Sequence, residues 1–218
     1  MKSIVRNRTL SQCLPPVGPL RALLPLLLIM LTAASGGGGQ PGKRWRSLFN
    51  GRDLEGWTIR GDAAWRVEDG VIVGEGARGH LYAAPVLADL EVRGEFRITD
   101  LGKGANAGLY FRAQEPSPNP NGFPVGYEAQ ICHNQEAHTG WLWRPGKPTG
   151  RASALLTKDG EWFPMRVRAE GSLIRIWVKD SLVMTWTDTT YREGRFALQC
   201  HNPGMRFEAR ALQYRPLN

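Results

Sequence analysis

The sequence predicts an all-β protein in which two antiparallel sheets pack face to face as a jelly-roll sandwich. Three observations predict it. From residue 45 onward, segments of five to eight residues rich in Val, Ile, Phe, Tyr and Trp alternate with clusters of Gly, Pro, Asn and Asp, the pattern of short strands and turns. Several of those segments alternate apolar with polar side chains, which gives each strand one buried and one wet face. No window of 12 residues in this region carries helical periodicity. Many short strands at this spacing require two packed sheets.

Residues 1–35 read as a secretory signal. Lys2, Arg6, Arg8 and Arg21 precede the apolar run Ala22–Ala34, which closes on the small residues Thr32, Ala33, Ala34 and Ser35. The run is 13 residues long, against roughly 20 for a bilayer span, so a cleaved signal is expected and no stable membrane anchor after cleavage. Cys13 lies before the run, so no lipoprotein cysteine follows it. Residues 36–44, beginning with four glycines, form a flexible linker, and the domain is expected over 45–218. The protein is thus expected to be exported, periplasmic or extracellular.

Within the domain, Trp65–Glu68 and Val71–Val73 flank Asp69-Gly70, a pair suited to a type I′ hairpin because Gly accepts positive φ. Leu90–Ile98 alternates cleanly, with Leu90, Val92, Phe96 and Ile98 on one face and Glu91, Arg93, Glu95 and Arg97 on the other. The same alternation recurs in Leu109–Arg112, Met165–Ala169, Ile174–Val178, Phe196–Gln199 and Phe207–Ala211.

The formal charge of +8 overstates the basicity of the domain, because the signal holds four basic residues and no acid. The remainder carries 24 basic and 20 acidic residues, interspersed rather than gathered in a stripe, which argues against nucleic-acid binding.

Period-two geometry also proposes a site. Burying Leu109 and Phe111 turns Tyr110 and Arg112 to the opposite face. Burying Tyr127, Ala129 and Ile131 exposes Glu128 and Gln130, and burying Phe196 and Leu198 exposes Gln199 and His201. If the three strands share a sheet, Arg112, Glu128, Gln130, Gln199 and His201 converge on one polar face, with Asn106 in the loop before its strand. Trp141, Trp143 and Trp162 sit beside Gly, Pro or polar residues, where an indole can stack on a bound ring or simply pack. The echo Cys132-His133-Asn134 and Cys200-His201-Asn202 suggests a Cys/His metal site. Neighbouring strand residues point to opposite faces, however, so all four could not hold one ion without a bulge. Alternation likewise puts Cys132 on the polar face and Cys200 on the core face, so a disulfide between them needs a break in the strand. No metal site and no cofactor are predicted, with a divalent cation as the alternative to Arg112 for the positive group.

Six ordered segments carry a family resemblance: Leu48–Trp57 (LFNGRDLEGW), Trp65–Gly74 (WRVEDGVIVG), Asn106–Arg112 (NAGLYFR), Gly126–Ile131 (GYEAQI), Gly160–Trp162 (GEW) and Leu198-Gln199 with His201. Together they resemble the 3-keto-disaccharide hydrolase family. Departures from its pattern are Ala107 for the usual Ser, Phe163 after Trp162 where Asn is common, Lys179-Asp180 for the usual Asn-Gly, and Cys132-His133-Asn134 where an acid often stands. The resemblance implies a concanavalin-like jelly roll whose curved sheet holds a sugar, and activity on glycosides oxidised to a ketone at C3. Such a ketone acidifies the C2 hydrogen, so deprotonation, β-elimination of the aglycone and addition of water give net hydrolysis. That route needs a base, a group to hold the enolate oxygen and a proton donor. The candidates are Glu128 or His201 as base, Arg112 with Gln130 for the enolate and hydroxyls, and His133 or His201 as acid. Asn106, Gln199, Trp141, Trp143 and Trp162 are candidate sugar contacts. Ordinary two-carboxylate hydrolysis fits less well, because Glu91 and Glu95 flank Arg93 and read as ion pairs. The rival reading is a lectin-like module that binds carbohydrate without cleaving it.

Overall fold

The structure, a computed structural model, describes residues 44–117, 122–145 and 147–217; the expected signal and residues 36–43 of the expected linker lie outside the described residues. Among the described residues there are fifteen strands and no helix. In chain order they are β1 (Arg46–Ser47), β2 (Trp57–Gly61), β3 (Ala64–Glu68), β4 (Val71–Glu75), β5 (Gly79–Leu87), β6 (Leu90–Asp100), β7 (Asn106–Gln114) and β8 (Val125–Cys132). Then follow β9 (Leu142–Arg144), β10 (Lys147–Pro148), β11 (Phe163–Glu170), β12 (Leu173–Val178), β13 (Ser181–Thr187), β14 (Gly194–Cys200) and β15 (Met205–Pro216). One sheet runs β13-β12-β11-β6-β15-β4-β3 with β1 added on β15; the other runs β10-β9-β8-β7-β14-β5-β2. Every pairing is antiparallel.

Alternation explains the core. Leu90, Val92, Phe96 and Ile98 of β6 meet Leu109 and Phe111 of β7, Tyr127, Ala129 and Ile131 of β8, and Phe196 and Leu198 of β14, all at most 1% exposed. Removing each large side chain from water contributes roughly 1.5–3 kcal/mol. The β3–β4 hairpin turns at Asp69 (φ 49°) and Gly70 (φ 79°), the two positive angles a type I′ turn requires.

The face of the first sheet turned away from the core is an ion-pair mesh. Glu91, fully buried, is held by Arg166 (2.6 Å) and Arg215 (2.5 Å) with Arg168 at 3.7 Å, and Glu95 by Arg210 (2.6 Å). Burial pushes the Glu91 carboxyl up, but hydrogen bonds from Arg166 and Arg215 outweigh it and leave it below the usual range. Tryptophans are interleaved: Trp45 lies under Arg93 (4.0 Å) and Arg215 (4.7 Å), and Trp177 under Arg166 (3.7 Å).

Alternation fails at one place that matters. In β7 the register slips between Phe111 and Gln114, so that Phe111 and Arg112 together occupy the space opposite Phe196. Arg112 is the extra residue, with φ 49°, and the bulge swings its side chain off the polar face.

Candidate functional site

Residues directly opposed in antiparallel register project to the same side of a sheet, so the pairings of the second sheet define rows across its open face. One row is Gln130–Gly108–Gln199–His80–Arg60, running from β8 to β2. The next is Trp143–Glu128–Tyr110–Ala197–Tyr82–Thr58. On the other side of the first row stand Asn106, opposite Cys132, and His201, whose N–H donates to the Asn106 carbonyl (3.1 Å).

These rows floor a cavity of about 430 Å³ bounded by Asn106, Glu128, Gln130, Gln199, His201 and Trp143, with Tyr110, Phe123, Pro124, Gln135, Arg144 and Pro145 completing the wall. Glu128 lies at its base. The Tyr110 hydroxyl donates to Glu128 Oε2 (2.7 Å) and accepts from Gln199 Nε2 (2.9 Å). With its amide nitrogen turned inward, Gln130 donates to Glu128 Oε1 (3.2 Å) and to the Ala107 carbonyl (3.0 Å). The carboxyl fits only because residue 108 is glycine, since a Cβ there would run into Glu128 Oε1. Burial pushes the Glu128 carboxyl up to about 8, with only the Tyr110 hydrogen bond opposing it. His201 moves the other way. Burial pushes its imidazole down, the Asn202 hydrogen bond opposes that, and the Arg78 charge adds to it. Two titrating groups on one cavity are thus driven apart, Glu128 toward its protonated form and His201 toward its neutral form.

The cavity therefore gathers Asn106, Glu128, Gln130, Gln199, His201 and Trp143 from the residues expected on sequence grounds, and four others lie elsewhere. Arg112, displaced by the bulge near the end of β7, is buried away from the cavity. There it donates from Nε to the Ala88 carbonyl (2.8 Å) and from Nη1 to the Tyr191 carbonyl (3.2 Å), with Asp89 at 3.3 Å. His133 follows Cys132 at the end of β8 and so turns to the opposite side, toward Asp159 (4.0 Å) and the Phe163 ring. Trp141 packs in the core beside His138 and under Arg151. Trp162 lies on the first sheet between Arg97 (4.8 Å) and Arg210 (4.2 Å). Cys132 and Cys200 are free thiols, placed through their partners Asn106 and Ala107 on opposite faces. Among the described residues no three His, Cys, Asp or Glu side chains cluster as metal ligands.

Sequence reasoning put Tyr110 on the right face but gave it no role; a hydroxyl on the same polar face as Glu128 and Gln199 was the available signal. Phe123, Pro124, Gln135, Arg144 and Pro145 come from connections whose course no local pattern announces.

Two antiparallel sheets with a polar, aromatic-edged cavity on one open face define a concanavalin- or galectin-like sandwich of the kind found in carbohydrate-handling proteins. The 3-keto-alpha-glucoside-1,2-lyase-like domain matches residues 44–212, and the chain belongs to that family. No curated protein matches it. Among solved structures, it is similar to a candidate glycosyl hydrolase from Parabacteroides distasonis (TM-score 0.64, 19% identity, 80% of this chain and 94% of that one). A carbohydrate-binding module from Bacillus subtilis also resembles it (TM-score 0.60, 18% identity, 73% and 95%). So does the carbohydrate recognition domain of Emp46p (TM-score 0.61, 14% identity, 79% and 98%). At these identities the likeness concerns the fold.

Proposed function

We propose that the protein is an exported enzyme that cleaves the glycosidic bond of 3-keto-glycosides by elimination and hydration, with Glu128 and His201 as its acid–base pair. The observation that carries this reading is the buried Glu128 carboxyl, set into the same cavity as a neutral imidazole. A module that only binds sugar gains nothing from a carboxyl driven to about 8, whereas acid–base chemistry near neutral pH needs such a group.

The protonation states assign the roles. Neutral His201 removes the C2 proton, and the electron pair passes into the C3 carbonyl to give an enolate. As the enolate collapses, a C1–C2 double bond forms, the C1–oxygen bond breaks, and protonated Glu128 gives its proton to the departing oxygen. Water then adds its hydroxyl to C1 and a proton returns to C2, completing hydrolysis. The amide oxygen of Gln130 lines the cavity as an acceptor for hydroxyls, while the Asn106 amide and the second N–H of Gln199 are donors for the enolate oxygen, and the Trp143 indole N–H, buried without a partner, is a further donor.

The experiment pairs a 3-keto-glucoside with its unoxidised parent. Cleavage of the keto form alone is expected; binding without cleavage of either would make the protein a lectin-like module, the role its carbohydrate-binding neighbours suggest. Glu128→Gln should lower turnover of a methyl 3-keto-glucoside by about 10²-fold and of a nitrophenyl 3-keto-glucoside far less, because a good leaving group needs no proton. Equal losses on both substrates would remove Glu128 from the donor role.

A further inference from the structure

The open face does not end at the first cavity. Beyond Gln199 the same row continues to His80 on β5 and Arg60 on β2, and the row beside it to Tyr82 and Thr58. Over these residues lies a second cavity of about 500 Å³, lined by Arg60, Arg78, His80, Tyr82, Asn202 and His201 among others. His201 lines both cavities. Phe123 marks the junction, with His201 tilted against it (5.4 Å), His80 edge-on to it (5.8 Å) and the Arg78 guanidinium over its ring (4.7 Å).

Two side chains of this hollow have no polar partner among the described residues. His80 is 2% exposed and its Nε2 is buried without a hydrogen-bond partner. Such an orphan is unfavourable until a hydrogen-bonding group meets it. Burial pushes the His80 imidazole down to about 4, so it is neutral and can donate or accept. Arg78 is exposed and forms no ion pair among the described residues, whereas Arg60 is taken by Glu115 (2.7 Å). Asp62 lines the same hollow, so its charges balance, and the fitting occupant is a neutral group rich in hydroxyls rather than an anion.

We infer that the second cavity seats the leaving part of the substrate, a hydroxyl-bearing ring attached through C1, and that Arg78 and His80 select it. The inference rests on the proposed reading of the first cavity. A substrate that sets its C2 hydrogen against His201 has C1 as an adjacent atom, so a group hanging from C1 is within reach of the second cavity, whose wall His201 shares.

The experiment compares kcat/KM for a 3-keto-glucosyl-glucose disaccharide with that for the methyl 3-keto-glucoside of the same anomeric form. The wild type should favour the disaccharide. Arg78→Ala, at an exposed site, and His80→Gln, which keeps volume and polarity, should each lower the disaccharide-to-methyl ratio by about tenfold, mainly through KM. An unchanged ratio in both variants, or a wild type indifferent to the second ring, would overturn the inference while leaving the first cavity's chemistry intact. A wild type that cleaves neither keto substrate would overturn the underlying reading itself.

Discussion

Between Tyr110 and Trp143 a carboxyl group has left water, and the hydroxyl and amide that meet it neutralise no charge. Glu128 therefore keeps its proton to about pH 8, while His201 sheds its own below the usual histidine range. Their opposite displacements give a pH profile. The rate constant kcat/KM should fall above about pH 8 as Glu128 ionises, and fall again on the acid side as His201 becomes charged. Measured on the methyl 3-keto-glucoside, Glu128→Gln should remove the alkaline limb and keep the acid one. An alkaline limb that survives in the variant would assign that ionisation to another group. The glycine at position 108 belongs to the same device, because it gives the carboxyl room to lie across β7.

Strands were legible wherever one face is apolar and the other polar. β6, β8 and the first half of β7 follow the alternation residue by residue, and this is why Glu128, Gln130, Gln199 and His201 could be placed together from sequence. The bulge at Arg112 was not legible, since positive φ is announced by glycine and here falls on an arginine held by backbone carbonyls of other segments. Trp141 and Trp162 failed for a related reason: their surroundings come from chain distant in sequence, Arg97 and Arg210 for Trp162 and the core for Trp141. The β12–β13 hairpin shows the same economy of signal. Lys179 (φ 49°) and Asp180 (φ 64°) both adopt left-handed backbone without a glycine. Replacing the pair by Asn-Gly should raise stability by about 1 kcal/mol in denaturant melts, with no change in activity, because the turn lies on the first sheet. No gain in midpoint would show that neighbouring contacts already relieve the turn.

At the scale of the whole molecule, stability and chemistry are coupled through the groups the open face buries. The folded protein binds the Glu128 proton up to about pH 8 and the unfolded chain releases it near 4.5, so this contribution is complete below 4.5 and is lost as pH rises through 8. His80 behaves in reverse, its contribution present above 6.5 and lost as pH falls through about 4. Thermal melts should place maximum stability between these limits. Glu128→Gln should melt above the wild type at pH 9, by an amount that shrinks steadily toward pH 5; a constant difference would mean that the substitution acts through packing rather than charge. The cavities occupy one sheet and the Arg–Trp mesh the other, and Trp45 is pinned into that mesh by Arg93 and Arg215. Trp45 therefore stands at the back of the domain, so a surface or label fixed to that face would leave both hollows open to incoming sugar.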